Sequence, residues 1–458
     1  MMNIAIIGAG LTGLTAAYKL VKQGHQVTVF EKEKTLGGLA GGFRQKGWDW
    51  HLESAYHHLF TNDDAILDLV SELGLSDKLI LTRPITANYI SKLSFDSLQT
   101  DRIIPFDSPL HLLTYPGLSL LDKLRTGMLL ASIKANPFWQ PLEWITAKNL
   151  FLTIGGKRAW QALWEPLMIG KFGPFADCVA ASWLWARIKK RTQKLYYIEG
   201  GFHTLVSALE QFITQHGGII MAGTSVESIQ HLNSSHPRAG SPRGEAGGDP
   251  VFMVNWILGS SPRMTKKKKF DKVLLTIPTP IAAKLASPFS ILHSPFSSPI
   301  PHLHAQTLIL ETKEPILRDT YWLNIMDRSF PFLAVVAHTN MIDKKHYGGH
   351  HLTYFGNYLP DGHPYLSMTK KQLLKVFLPY IKRLNPSFHW SDWSDLFIGR
   401  YAQPVHELHY SKRAPKLETS IPGVFLANVD SIYPWDRGTN YAVELGQKAA
   451  NMLMSSRA

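Results

Sequence analysis

An uncharged apolar run begins the chain, passes through Gly8-Ala9-Gly10-Leu11-Thr12-Gly13, continues with helical spacing of apolar residues, and gives way to a second apolar run, Gln26-Val27-Thr28-Val29-Phe30. That pattern predicts strand, tight turn, helix and strand, a βαβ unit. Further on, the spacing predicts a helix from Asp63 to Leu73 stopped by Gly74, then strands around Ile85–Phe95 and Arg102–Phe106 that belong to a different sheet. A proline-punctuated helical region rich in tryptophan runs from about Pro109 to Gln193. Gly200-Gly201-Phe202 opens an amphipathic helix, Thr204 to Gln215, and Gly217-Gly218 stops it.

Strands at Ile219–Ala222, Val226–Ile229, Phe252–Ile257 and Lys272–Ile277 come next, the last ended by Pro278. His304–Glu311, Tyr321–Met326, Phe332–Ala337 and His351–Phe355 alternate as an antiparallel sheet would. A helix from Thr369 to Leu384, a buried strand at Val424–Ala427 and a helix from Asn440 to Leu453 complete the pattern. Asn233 to Pro250, poor in apolar residues and dense in Pro, Gly and Ser, predicts a mobile loop.

Composition narrows the class. A chain of 458 residues, 45% hydrophobic and 18% charged, is globular and long enough for two or three domains. The single cysteine, Cys178, excludes an intrachain disulfide, a CxxC redox pair and a cysteine-based metal site, and it fits a reducing compartment, with the cytoplasm as the default. The net charge of +13 suits an anionic partner: a nucleotide, a nucleic acid or the inner face of a membrane. No apolar run reaches the roughly 18 residues of a membrane-spanning helix. Leu110 to Leu152, apolar and dotted with Lys123, Arg125, Lys134 and Lys148, reads as a helical subdomain on the core, or as a face that rests on a bilayer or roofs a greasy pocket. His346, His350, His351 and His363 lack metal-ligand spacing, so no metal is expected. Lys266 to Lys269 reads as a solvated hairpin tip, not as a nucleic-acid contact.

The chemistry lies in the glycines. Gly8 allows the turn after the strand, Gly10 lets backbone approach a pyrophosphate, and Gly13 lets the helix pack on the sheet with its N–H groups facing the phosphates. Glu31, at the end of the second strand, is placed to accept hydrogen bonds from a ribose. A signal peptide is the rival reading of this uncharged stretch, but a cationic leader is missing and the fingerprint accounts for every glycine. Gly37-Gly38-Leu39-Ala40-Gly41-Gly42 supplies a second glycine segment for the same pyrophosphate. Near the far end, Gly423 to Asp430 runs as strand into turn, and Arg437-Gly438-Thr439-Asn440-Tyr441-Ala442-Val443 opens a helix whose N-terminus would favour negative charge placed against it.

Together these segments resemble the FAD-dependent amine oxidase superfamily: monoamine oxidase, protoporphyrinogen oxidase, phytoene desaturase and, more distantly, UDP-galactopyranose mutase. The resemblance implies an α/β fold, a Rossmann-type FAD-binding domain with an antiparallel-sheet substrate domain and a helical lid. It divides the chain into a discontinuous FAD-binding domain, 1–80, 195–290 and 400–458, and a substrate domain, 81–194 and 291–399. It implies that FAD is held by Gly8, Gly10, Leu11, Thr12, Gly13, Glu31, Lys32, Gly37, Gly38 and Leu39, by Val226 at the adenine, by Asp430 near the ribityl chain, and by Gly438, Thr439, Asn440 and Ala442 under the isoalloxazine. Many relatives carry an Arg where Leu39 stands here, and Arg44 is the nearest replacement. The cysteine used for covalent attachment in monoamine oxidases is missing from the C-terminal segment, which implies noncovalent FAD.

The implied reaction is hydride removal from a hydrophobic or cyclic organic substrate onto flavin N5, with reoxidation by a diffusible acceptor such as oxygen or a quinone, and with no catalytic base singled out. Two alternatives stay open. GGxxGG followed by His57-His58-Leu59-Phe60-Thr61-Asn62-Asp63 resembles the mutase, a non-redox flavoenzyme acting on a nucleotide sugar, although no uridine diphosphate clamp is identifiable in the middle of the chain. The other is a flavin-binding protein without turnover. Asp327, His338, Asn340, Tyr354 and Gln403, assigned to strands of the substrate sheet, read equally as satisfied core groups or as substrate contacts.

Overall fold

The computed structural model describes residues 1–91, 100–232, 251–258, 265–285, 300–389 and 393–455. Its first sheet is a five-stranded parallel one, in the order Ile219–Met221, Gln26–Phe30, Asn3–Ile7, Lys272–Leu275 and Val424–Leu426. The three inner strands are buried on both faces, which explains their near-continuous apolar sequences. Helices Leu11–Lys22, His203–Gln215 and Thr439–Ser455 pack together through residues such as Leu14, Leu205, Val206 and Val443. The chain leaves Asn3–Ile7 for Gln26–Phe30 on one side and meets Lys272–Leu275 on the other, so a crevice opens beyond the C-terminal end of the first strand.

The second large sheet has seven strands, in the order Trp393–Pro404, His302–Thr312, His351–Leu359, Ala334–Ala337, Thr320–Ile325, Ile85–Ile90 and Arg102–Pro105. It is mixed and not wholly antiparallel: Thr320–Ile325 pairs in parallel with Ile85–Ile90. These strands come from distant parts of the chain, and no hairpin constrains their direction. Helix Lys370–Leu384, begun by a Thr369/Gln372 capping box, packs Leu373, Phe377 and Ile381 against this sheet. The helical region from Pro109 onward packs on it through Trp160, Phe172 and Trp183 against Leu303, Ala305, Tyr358 and Val405.

A three-stranded antiparallel sheet, Thr224–Leu232, Val251–Leu258 and Lys266–Phe270, corrects the reading of Lys266–Lys269 as a hairpin tip. The four lysines are exposed on an edge strand, where their charge discourages further pairing and Phe270 alone turns inward. The loop expected at Asn233–Pro250 and the outer part of the Ile85–Phe95 strand lie outside the described residues.

Candidate functional site

The first glycine turn is closed at two positions and open at the third. Gly8 has φ +109°, and a Cβ there would meet Thr276 Oγ1 at 2.7 Å. A Cβ on Gly13 would stand 2.1 Å from the Gly8 carbonyl oxygen, so the helix lies directly on the turn. At Gly10 an added Cβ would find no atom within 4 Å. The second glycine segment approaches this hollow from the other side. Gly37 N–H donates to the Ala9 carbonyl at 2.8 Å, and a Cβ on Gly38 (φ +59°) would meet Gly10 Cα at 3.1 Å.

Leu14 is the residue that bonds back to Gly10, at 2.9 Å, so the N–H groups of Leu11, Thr12 and Gly13 have no helical acceptor and stand at the positive end of the helix. The Glu31 carboxylate accepts from Ala9 N–H at 2.8 Å and from Glu33 N–H at 2.9 Å, which fixes it at the rim. Thr224 N–H donates to the Glu31 carbonyl at 2.7 Å, and Val226 follows in the same strand, buried beside a register shift. Lys32 projects into solvent and pairs with Glu33 at 3.6 Å, outside this group. Leu39 lies against Gly399, whose added Cβ would meet Leu39 Cδ2 at 2.7 Å. Arg44 is exposed and lowers the pKa values of His51 and His203 after burial has done most of the work.

The C-terminal segment bounds the crevice from a second direction. Asp430 is fully buried, and its carboxylate accepts from Thr279 Oγ1 and from His302 Nε2, the latter at 2.7 Å. An added Cβ on Gly446 would stand 2.5 Å from the Thr12 carbonyl, so helix Thr439–Ser455 crosses the first helix near that helix's start. At 1.5 Å per residue its own N-terminus, preceded by Gly438, lies about 10 Å beyond that crossing. Ala442 N–H bonds to the Gly438 carbonyl at 3.1 Å, while Asn440 Oδ1 accepts from Ile66 N–H at 3.1 Å and is spent on the fold.

Just before this helix lies a cationic centre. Asp436 accepts from Lys171 Nζ at 3.3 Å, Arg187 Nη1 at 3.4 Å and Gln403 Nε2 at 3.2 Å. Lys171 and Arg437 both stand over the Tyr358 ring, at 5.0 and 4.7 Å. Burial opposes ionisation of Asp436, but Lys171 and Arg187 outweigh it and hold the carboxyl well below its usual range. Lys171 comes down to about 7 through burial, helped by Arg187 and Arg437 and opposed by Asp436. Arg437 comes down to about 10, mainly through burial.

Arg187 continues into a cavity of about 210 Å³ lined by His58, Phe60, Thr86, Asp107, Arg191, Tyr321 and Trp322 among others. His58 Nδ1 and Tyr321 Oη lie 3.1 Å apart, and burial takes His58 down to about 3, so its ring is neutral. His57 contacts the Ala55 carbonyl through Nδ1 at 2.6 Å and falls to about 4, again through burial.

Residues 11–454 match the family of flavin-containing amine oxidoreductases. The chain belongs to that family. Its members are flavin-dependent oxidoreductases, and the residues present fit FAD: the hollow before Gly10, the N–H groups of the helix's first turn and the rim carboxylate would form a cradle for a dinucleotide. A zeta-carotene desaturase of Arabidopsis thaliana is 28% identical over 240 residues, which is 48% of this chain and 42% of the relative, so the chain spans less than half of that protein's length. A protein from Exiguobacterium sp. 255-15 named after protoporphyrinogen oxidase has the same fold, with a TM-score of 0.73 over 99% of both chains at 16% identity. Reduced UDP-galactopyranose mutase gives 0.71 over 99% of this chain and 96% of its own, at 14% identity.

Of the polar residues assigned to the second sheet, only Gln403 reaches the centre. Asp327 lies past its strand and accepts from Arg383 Nη2 at 3.0 Å; His338 bonds Tyr347 Oη at 2.8 Å and Asn340 donates to two carbonyls, both from a short 3-10 turn and not from a strand. Tyr354 Oη donates to the Glu53 carbonyl at 2.8 Å. These four are core polar groups with partners. The histidines at 346, 350, 351 and 363 are likewise occupied, by Trp50, Glu311, Thr339 and the Tyr365 N–H, and no cluster among the described residues could hold a metal. Lys171, Arg187 and Arg191 were not singled out from the sequence. The one signal was an arginine pair four residues apart in a tryptophan-rich helix, which is as common on solvated faces.

Proposed function

We propose that this chain is an FAD-dependent oxidoreductase that holds FAD noncovalently and takes a hydride from a hydrophobic or cyclic organic substrate lying in the His58, Tyr321 and Trp322 cavity. One observation carries the reading: the hollow at Gly10, framed by two glycine segments and a helix N-terminus. When bound, FAD supplies the hydride acceptor at N5. The chain's own residues orient and shield. Asp430 anchors the turn beneath the closing helix, and the neutral His58 and the Tyr321 hydroxyl present a polar edge in an aromatic wall. Excess cations around Asp436 favour a gain of negative charge nearby.

The domain division into 1–80, 195–290 and 400–458 against 81–194 and 291–399 is supported by the strands of the parallel sheet, all of which fall in the first set. Reoxidation by oxygen or a quinone, and residence in the cytoplasm with contact to the inner membrane face, complete the reading. Among the described residues no helix is long and apolar enough to cross a membrane. Leu110, Leu120, Leu121 and Met128, each more than 60% exposed, support surface contact, with Lys123 and Arg125 between them.

The test is to purify the chain, record its spectrum and precipitate it by heat. FAD released into the supernatant supports the reading; a colourless protein that takes up no added FAD, or flavin that stays in the pellet, overturns it. The mutase reading keeps one support, the fold shared with reduced UDP-galactopyranose mutase. Turnover of a sugar nucleotide by reduced protein, without net electron transfer, would favour it.

A further inference from the structure

The cavity beyond Asp436 carries more positive charge than its own side chains neutralise. Arg187 and Arg191 both line it, in the last turn of helix Ala181–Lys190 and one residue past it, and both are open to solvent. Arg187 shares Asp436 with Lys171. Arg191 makes no ion pair among the described residues; its one hydrogen bond is a long one, 3.4 Å to Thr86 Oγ1. Burial, and then Arg187, bring Arg191 down to about 10, with Asp107 opposing. Asp107 is itself engaged by His111 at 3.0 Å. Of the cavity's lining residues Arg187 and Arg191 are thus cations and Asp107 the carboxylate.

Arg187 and Arg191 repel each other, only Arg187 is held by a carboxylate, and an anion bound between them would relieve that repulsion. Arginine forks suit planar or tetrahedral oxyanions, which they grip through paired N–H donors. None of the cavity's lining residues belongs to the glycine segments, so the pyrophosphate cradle does not account for this charge. Phe60, Tyr321 and Trp322 line the same cavity. A hydrocarbon would leave both arginines desolvated, and an ammonium would be repelled.

We propose that Arg187 and Arg191 form a recognition subsite for an oxyanion, a carboxylate or a phosphate, carried by a substrate whose apolar part rests on Tyr321 and Trp322. The assignment rests on the oxidoreductase reading and names its substrate class: anionic organic molecules, not hydrocarbons or amines.

The test uses the FAD-loaded protein at constant ionic strength, with 3-phenylpropionate, phenyl phosphate and the neutral 3-phenylpropanamide as probes. Binding is followed by calorimetry and by quenching of tryptophan fluorescence. Saturable binding of at least one acid, with the amide weaker by about tenfold or more, is expected from the loss of charge-assisted hydrogen bonds. Which acid binds tells carboxylate from phosphate recognition. Arg191→Gln should weaken the acid by about tenfold and leave the amide unchanged, and Arg191→Lys should recover part of the loss. Equal binding of acid and amide, or no binding of either acid, overturns the subsite; that comparison needs no variant to fold. Bound FAD together with such a result would leave the oxidoreductase reading intact, whereas failure to bind FAD would remove that reading by itself.

Discussion

The Gly8 carbonyl oxygen occupies the place a side chain on Gly13 would need, 2.1 Å from its Cβ position. Turn and helix are therefore one packed unit, and the three fingerprint glycines serve two different purposes. Gly8 and Gly13 are required by the fold, and Gly10 by what the fold leaves open.

Gly10→Val and Gly13→Ala should therefore fail in different ways. The Gly10 branch projects into free space, so the variant should fold with a melting temperature near that of the wild-type apoprotein yet bind little or no FAD. Gly13→Ala drives a methyl into backbone and should cost about 1–3 kcal/mol or more of stability. Thermal melts of apoprotein and flavin absorbance separate the two. A fully yellow Gly10→Val protein would contradict the assignment of the hollow.

Glu53 sets a pH dependence of stability. Its buried carboxylate accepts from Phe202 N–H at 2.7 Å and Tyr197 Oη at 2.8 Å, yet burial outweighs both and raises its pKa from 4.5 to about 7. The folded state thus holds a proton that the unfolded chain releases above 4.5. Stability from this group is fully present below that value and is lost as pH rises to about 7, at up to ~1.4 kcal/mol per pH unit. Glu53→Gln should remove this part of the slope. Urea unfolding of both proteins at pH 5, 6 and 7 checks it, and parallel slopes would refute it.

The exposed leucines from Leu110 to Leu124, with Met128, form an apolar face edged by Lys123 and Arg125. The full protein should float with anionic vesicles at low salt and less so as the screening length falls from about 10 Å at 0.1 M. Leu120→Glu with Leu121→Glu should abolish flotation while FAD content stays the same. No flotation of the unaltered protein at low salt would reject membrane contact.

What could be read from the sequence was whatever local pattern decides. Strands buried on both faces announce themselves by unbroken apolar runs, and the glycine segments by spacing, so the parallel sheet and its crevice were legible from Ile4, Gly8 and Val273 alone. Of Trp393–Pro404 only Gln403 is assigned to a strand from the sequence, because an edge strand mixing Asp395 and Arg400 with apolar residues has no clean period by which to bound it. The cationic centre escaped for a different reason: Lys171 and Arg187 meet Asp436 across separations of 265 and 249 residues, which no window along the chain can show.

The last prediction concerns the source of electrons. Flavoenzymes that take electrons from a nicotinamide commonly carry a second strand, glycine turn and helix N-terminus, in that order, to hold its pyrophosphate. Gly200-Gly201 follows strand Leu195–Ile198 and opens helix His203–Gln215, but the Phe202 N–H there donates to Glu53 and a Cβ on Gly201 would meet the His51 carbonyl at 2.7 Å, so the fold itself fills that turn; two further pairs lack the order. Gly217-Gly218 follows helix His203–Gln215 and precedes strand Ile219–Met221, so it faces a helix C-terminus, where an anion is disfavoured. Gly155-Gly156 joins two helical segments and follows no strand. Anaerobic mixing of FAD-loaded protein with excess NADH or NADPH should leave the flavin absorbance unchanged, whereas organic substrate should bleach it and added oxygen or a soluble quinone should restore it. Fast, saturable bleaching by either nucleotide would instead mean that the same crevice admits a nicotinamide beside the flavin, and the direction of electron flow proposed for this chain would have to be reversed.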